Sequence, residues 1–118
     1  MSCPQFIAQS MAVRTQAHLL HLSSPSYAQH MALGDFYSAL TDCIDKYAEV
    51  YMGLEGQIKS WPSPASVEKK DPVTLLEDYL ELVQVEASED SDFQSLMNIL
   101  AGIEELTAST LYKLRHLK

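Results

Sequence analysis

The sequence predicts an all-α protein, folded as a four-helix bundle with one longer linker between the second and third helices. Apolar residues recur at helical spacing along most of the chain, and strand-like alternation is nearly absent. Only four glycines interrupt this pattern. A length of 118 residues and a hydrophobic content of 47% suit a single domain with one core.

The first two helices are predicted over residues 4–22 and 27–60. Pro4 suits a first helical turn, and the serine-rich segment 23–26 separates the two helices. Ser26 is the expected N-cap of the second helix, with Gln29 three residues on. Pro62 disfavours helix at the residue before it and ends the second helix near Ser60. The apolar stripe of the second helix consists of Leu33, Phe36, Leu40, Ile44, Tyr47, Tyr51, Leu54 and Ile58.

A linker over residues 61–71 leads to helices predicted over 72–86 and 91–117. Asp71 followed by Pro72 is typical of an N-cap and a first helical residue. Acidic residues near the start of the fourth helix and basic residues at its end suit the helix dipole. The linker is long for a hairpin between bundle neighbours, so we expect it either to cross one end of the bundle or to run down its length.

The charge balance excludes several classes of function. The net charge is −8, from 16 acidic and 8 basic residues, and no large cluster of lysines and arginines is present. Direct nucleic-acid binding is therefore not expected.

No signal peptide, membrane span or basic amphipathic segment is evident, so we expect a cytoplasmic protein that does not bind membranes. Two cysteines, Cys3 and Cys43, do not make a disulfide framework.

Histidines and carboxylates are the candidates for chemistry, since no phosphate loop, CxxC, HExxH or GxSxG motif is present. His18 and His21 share the apolar stripe of the first helix with Ile7, Met11 and Leu22, where a bond to a backbone carbonyl is the simplest role. At about 100° per residue, the acidic residues of the second helix fall beside His30 and away from the core. That face is either a solvated surface or part of a cation site; its acids are Asp35, Asp42, Asp45 and Glu49.

One stretch of the chain resembles a known family. The run TQAHLLHLSSPSYAQHMALGDFYSALTDCIDKYAEVYMGLEG is similar to the first two helices of Dps proteins, the mini-ferritins of the ferritin-like superfamily. The family has a histidine near the end of the first helix, a second one twelve residues later, then an acid four residues on, and an Asp and a Glu further along. His18, His30, Asp45 and Glu49 keep this spacing. Gly34 stands where the family has the first acid, and the neighbouring Asp35 is the candidate to replace it.

The resemblance implies a ferritin-like bundle with a metal site shared across a dimer axis. His18 and His30 would come from one subunit, and Asp45 and Glu49 from its mate. The implied activity is a Dps-type ferroxidase, which binds Fe(II) and oxidises it with peroxide or oxygen. The ligand set suits iron and also zinc. A homodimer or higher homo-oligomer is implied. No Lys-rich N-terminal tail exists, so the family's DNA-binding role is not expected here.

Two alternatives stay open. Gly34 and the acidic surface also suit a ferritin-like bundle without a metal cofactor, a viral or accessory protein that acts by binding another protein. The other alternative is a structural zinc or iron ion that bridges a dimer without turnover. Metal analysis and activity assays distinguish these hypotheses.

Overall fold

The computed structural model describes residues 1–64, 67, 70–89 and 92–117. These residues form four helices and no strand, which confirms the predicted all-α four-helix bundle. The helices are α1 (Cys3–Leu22), α2 (Tyr27–Glu55), α3 (Pro72–Glu89) and α4 (Gln94–His116). The molecule measures 43 × 26 × 20 Å. A helix as long as α2 is about 43 Å in length, so α2 spans the whole bundle.

Local capping signals start the first three helices. Ser2 and Gln5 form a reciprocal capping box, so α1 begins one residue earlier than predicted. Ser26 caps α2 by accepting a bond from the backbone N–H of Gln29. Asp71 accepts bonds from both the backbone N–H and the hydroxyl of Thr74, and thereby caps the first turn of α3.

The predicted end of the second helix at residue 60 is wrong. The helix ends at Glu55, because Gly56 adopts a φ of 96°, and its N–H donates to the carbonyl of Met52. This left-handed conformation favours glycine and stops the helix before Pro62 can act. The linker therefore runs from residue 56 to 71 instead of 61 to 71.

The hairpin between the last two helices also differs from the prediction. The third helix continues to Glu89, three residues beyond the predicted end. The fourth helix starts at Gln94 and ends at His116, with Phe93 at the N-cap position but no capping bond from its side chain. Residues 90 and 91, where the predicted helix start fell, lie outside the described residues, as does the predicted linker segment at 65, 66, 68 and 69.

The helix order around the bundle is α1, α2, α4, α3, so α2 and α3 lie on a diagonal. Tyr79 of α3 bonds Ser10 of α1, and the N-terminal amine of Met1 pairs with Glu89. These contacts make α1 and α3 antiparallel, and α2 and α3 therefore run in the same direction. The linker must return along the length of the bundle, which is the second of the two predicted paths. Its described residues line a groove of about 540 Å³ on α1: Trp61, Pro62, Pro64 and Val67.

Aromatic side chains fill the centre of the core. The ring of Phe6 meets the rings of Tyr47 and Tyr79 at centroid distances of 5.5 and 6.5 Å. The hydroxyl of Tyr79 donates to Ser10, and that of Tyr47 donates to the buried carboxylate of Glu86. Across the described residues, every buried side-chain nitrogen or oxygen has a hydrogen-bond partner, as a well-packed interior requires.

None of the helices in the described residues is long and apolar enough to cross a membrane.

Candidate functional site

The residues predicted to bind metal occupy two separate places on the hairpin of α1 and α2. His18 and His30 are half-buried near the turn, whereas Asp35, Asp45 and Glu49 are exposed along α2. Fifteen residues of helix separate His30 from Asp45, which is about 22 Å. A single chain therefore does not bring the four ligands together. In the described part of the chain, no three or more His, Cys, Asp or Glu side chains are grouped so as to hold a metal ion.

The hairpin turn brings His21 and His30 into a reciprocal pair. Nδ1 of His21 lies 2.6 Å from the carbonyl oxygen of His30, and Nδ1 of His30 lies 2.8 Å from the carbonyl oxygen of His21. A carbonyl oxygen can only accept, so both rings carry their proton on Nδ1 and donate it. The two rings stack with their centroids 3.8 Å apart and an interplanar angle of 18°. The predicted bond from a histidine of the first helix to a backbone carbonyl is confirmed for His21.

The helix ends explain why these bonds form at this place. His21 is the penultimate residue of α1, and its carbonyl has no partner inside the helix. The imidazole of His30 satisfies that carbonyl, as side-chain donors commonly do at helix C-termini. The carbonyl of His30 lies within α2 and can accept a second bond through its other lone pair.

Gly34 makes room for this pair. A Cβ at position 34 would lie 2.9 Å from Cε1 and 3.0 Å from Nδ1 of His21. Real Cβ atoms do not approach so closely, so no side chain fits at position 34 while His21 keeps this position. The sequence marks Gly34 as the place of a missing acid and does not predict this contact. A glycine inside a helix costs stability relative to alanine, and that cost was the available signal of a packing role.

His18 belongs to a second set of contacts between the same helices. Its ring stacks on Tyr37 with centroids 4.0 Å apart, and the guanidinium of Arg14 lies 5.0 Å from the centre of the Tyr37 ring. Nε of Arg14 also donates to the hydroxyl of Thr41 at 2.9 Å. These contacts fix the register of α1 against α2 and hold the plane of the His18 ring, which makes no hydrogen bond to the described residues.

The carboxylates of Asp35, Asp45 and Glu49 make no ion pair or hydrogen bond with the described residues. Asp45 borders a shallow cavity of about 170 Å³ that is also lined by Met11, Arg14, Thr41 and Ile44. Its position beside α1 places Asp45 on the outer surface of the α1–α2 hairpin. Asp35 is exposed one residue beyond Gly34, and it does not enter the space that the His21 ring occupies.

Large exposed hydrophobic side chains are frequent on the same hairpin. Tyr27 is 78% exposed and Leu22 is 66% exposed, next to the turn that joins the helices. Such side chains often mark an interaction surface when they occur together. The exposed hydrophobic side chains in the part of the α1–α2 hairpin from Met11 to Met31 are Met11, Leu19, Leu22, Tyr27 and Met31.

Comparison with known proteins identifies relatives without a known function. Residues 21–114 match a family described as a family of unknown function, DUF5856. An uncharacterized 14.6 kDa protein in the mobD-ri intergenic region of Enterobacteria phage T4 is 34% identical over 71 residues, which is 60% of this chain and 55% of the phage protein. The chain thus spans about half the length of this curated relative. No solved structure matches significantly. Because the family match covers most of the sequence, the chain belongs to DUF5856.

Proposed function

We propose that two copies of this protein bind a divalent metal ion between them, in the manner of Dps-like mini-ferritins. His18 and His30 of one copy would provide imidazoles, and Asp45 and Glu49 of the mate would provide carboxylates. The observation that carries this proposal is the bond from Nδ1 of His30 to a backbone carbonyl. Histidines that bind metals nearly always donate their other ring N–H in this way, which leaves Nε2 for the metal.

The path of the chain supports a ferritin-like relationship. The first two helices form one antiparallel hairpin, the last two form another, and a linker that runs the length of the bundle joins them. Bundles with one long crossover connection of this kind include the ferritin-like folds.

The ligand types suggest which metal is involved. Imidazole combined with carboxylate suits iron and zinc, whereas Mg²⁺ and Ca²⁺ favour sites made of oxygen ligands. With iron as the substrate, two Fe(II) ions would each give up one electron. One hydrogen peroxide molecule would accept both electrons and, with two protons, leave as two water molecules. Bound zinc would instead support a structural role, with no turnover.

The spacing of the ligands defines the dimer that the proposal needs. If His30 of each copy faces Asp45 of the other, the two α2 helices must lie antiparallel about a two-fold axis. The axis then passes midway between these residues, next to Ser38. Ser38 is exposed and lies about 20° around the helix from Asp45. The exposed hydrophobic side chains of the α1–α2 hairpin support an interface on this surface.

A crosslinking experiment tests the dimer. In a background with Cys3→Ser and Cys43→Ser, the Ser38→Cys variant should give a covalent dimer with a short thiol-specific crosslinker. Ser109→Cys, exposed on α4, is the matched control and should remain monomeric under the same conditions. A monomer by light scattering, together with no crosslink at position 38, would exclude the shared site.

A mixing experiment tests the shared metal site itself. One variant carries His18→Ala and His30→Ala, and the other carries Asp45→Asn and Glu49→Gln. Each variant alone should bind neither Fe(II) nor Zn(II) in calorimetry, whereas a refolded mixture should recover part of the binding, because mixed dimers contain one intact site. Fe(II) oxidation followed optically then separates turnover from structural binding. If either of these two variants on its own takes up as much metal as the wild type, this ligand set is refuted.

A second candidate function is binding of another protein by a bundle without metal chemistry. The His21 ring over Gly34 favours this second function. It occupies the space where the acidic ligand of Dps proteins would lie. A relative from a bacteriophage supports a viral accessory role, and the net charge of −8 suits a partner with a basic surface. Purified protein that contains no metal, takes up none, and binds a basic partner in a salt-dependent manner would favour this function over the first.

A further inference from the structure

We infer that His21 is a positioning residue for His30, and that the lack of a side chain at Gly34 leaves space for the His21 ring. This inference rests on the proposed metal site and concerns how that site would be prepared before metal binds. The relevant unit consists of three residues from two helices: His21, His30 and Gly34. It differs from the pattern of the resembling family, in which an acid occupies the place of Gly34.

A bond to the backbone fixes the tautomer of His30. The carbonyl oxygen of His21 accepts the Nδ1 proton of His30, so a neutral His30 keeps an unprotonated Nε2. A metal ion needs this lone pair. The bond therefore holds His30 in the form that a metal would bind and fixes the direction of its ring.

The side chain of His21 restrains the ring of His30. Its ring stacks on His30 at 3.8 Å, and its Nδ1 donates to the backbone carbonyl of His30. The ring thus restrains His30 on one face, while its hydrogen bond joins the end of α1 to the start of α2. Without the His21 ring, His30 would retain the backbone acceptor but lose the surface that keeps its plane fixed.

His21 supports His30 and does not itself offer a nitrogen to the metal. Nδ1 is engaged in both His21 and His30, so packing is what separates the two rings. The His21 ring lies against the backbone of α2 at Gly34, with its Nε2 3.8 Å from the point that a Cβ would occupy, and this contact crowds the nitrogen that a metal would need. Its centroid is 6.1 Å from that of His18. The three imidazoles do not form a metal-holding group within the described residues of one chain. The geometry therefore assigns His21 the support of His30 and leaves ligation to His18 and His30.

The tautomer can be measured by long-range ¹H–¹⁵N NMR on metal-free protein. In its neutral form His30 should show a protonated Nδ1 and an unprotonated Nε2. His116 at the end of α4 serves as a control outside the pair. In His21→Ala, which keeps the main-chain acceptor at residue 21, the His30 signals should broaden because the ring loses the surface on which it stacks. In His21→Phe, which keeps a ring for stacking, they should change less. A protonated Nε2 on His30 in the wild type, or His30 signals in His21→Ala as sharp as those of the wild type, would overturn the inference.

Metal affinity supplies the second measurement. Loss of a residue that supports a metal-binding histidine typically lowers affinity by about 10–100-fold. We expect this decrease for Zn(II) binding to His21→Ala, and a smaller one for His21→Phe. Circular dichroism must show that both variants keep their helices. An affinity equal to that of the wild type would overturn the inference. Absence of binding by the wild type would instead refute the proposed function, and the NMR measurement alone would then decide whether His21 positions His30.

Discussion

The imidazole of His21 lies over Gly34, with its Cε1 atom 2.9 Å from the point that a Cβ at position 34 would occupy. This relationship gives a glycine in the interior of α2 a packing role. The same ring donates to the carbonyl of His30. His21, at the end of α1, therefore contacts both the first turn of α2 at His30 and the second turn at Gly34.

Gly34→Ala should lower the free energy of unfolding by about 1 kcal/mol. The added methyl group displaces the His21 ring, which breaks the bond from its Nδ1 and disturbs the reciprocal bond from the His30 ring stacked on it. Each bond is worth about 0.5–1.5 kcal/mol, and the two together exceed the gain of up to about 1 kcal/mol in helix propensity. Urea denaturation followed by circular dichroism measures the change.

Two controls isolate this contact. Gly102→Ala in α4 adds a methyl group that meets no other part of the described residues within 4 Å beyond its own helix backbone, and should raise the stability by about 0.5–1 kcal/mol. In a His21→Ala background, Gly34→Ala should also become stabilising. If Gly34→Ala stabilises the unmodified protein as Gly102→Ala does, the His21 ring is not held in the observed position.

Tyr79→Phe should destabilise the protein at neutral pH and flatten its response to alkali. The Tyr79 hydroxyl donates to the fully buried Ser10, so its removal should cost about 1–2 kcal/mol. Burial also raises the pKa of Tyr79 well above its usual range. The unfolded state therefore loses this proton near pH 10 while the folded state keeps it. Stability should fall by up to about 1.4 kcal/mol per pH unit above that point.

The alkaline response is read from urea denaturation between pH 8 and pH 11. Tyr79→Phe should show a shallower decline than the wild type, although it starts from a lower stability. Tyr112→Phe, exposed on α4, should change neither the starting value nor the slope. Parallel curves for the wild type and Tyr79→Phe would contradict the burial of this hydroxyl group.

Asp71→Asn should preserve α3 at neutral pH and reduce the loss of stability in acid. Hydrogen bonds from the backbone and side chain of Thr74 hold the pKa of Asp71 below its usual range. Its stabilising effect is therefore present above about pH 4 and is lost as the pH falls through the folded-state pKa. Asparagine caps equally well without titrating, whereas Asp71→Ala should cost about 1 kcal/mol at pH 7. Thermal unfolding at pH 7 and pH 3 compares the three proteins, and equal acid losses in Asp71→Asn and wild type would refute this assignment.

Cys43 should react slowly with alkylating reagents. Burial, followed by the negative charge of Asp42, raises the pKa of the Cys43 thiol, so little reactive thiolate exists at neutral pH. In a Cys3→Ser variant, the rate at which iodoacetamide alkylates Cys43 should rise with pH. The midpoint of this rise should lie above about pH 8.5, the usual pKa of cysteine. Asp42→Asn should move this midpoint downward. Rapid alkylation at pH 7 would contradict the partial burial of this thiol, which packs against the core.

Signals that act within a few residues could be predicted from the sequence. The caps at Ser26 and Asp71, with Pro72 after the latter, mark helix starts by chemistry within one turn. The predicted end of α2 lies five residues too late, because nothing in the apolar stripe reports the positive φ of Gly56. Apolar periodicity continues past it to Ile58, which packs against the core from the linker.

The candidate site was only partly predictable for a different reason. Helical spacing correctly put Asp45 and Glu49 on the exposed side of α2, because that inference needs one helix alone. The contact between His21 and Gly34 depends on the register of α1 against α2, and the spacing of residues within either helix does not determine that register. The same limit applies to His18 and Tyr37, whose rings meet across the two helices.

The linker that returns along α1 also has a consequence for the order of folding. Each hairpin can form from contacts close in sequence, but the bond between Tyr79 and Ser10 closes a separation of 69 residues, and that between Tyr47 and Glu86 closes 39. Such distant contacts form slowly, because loop closure must precede them. Docking of two preformed hairpins is therefore the expected rate-limiting event. Because both bonds cross the surface that forms on docking, variants that remove either bond should retard folding as well as accelerate unfolding.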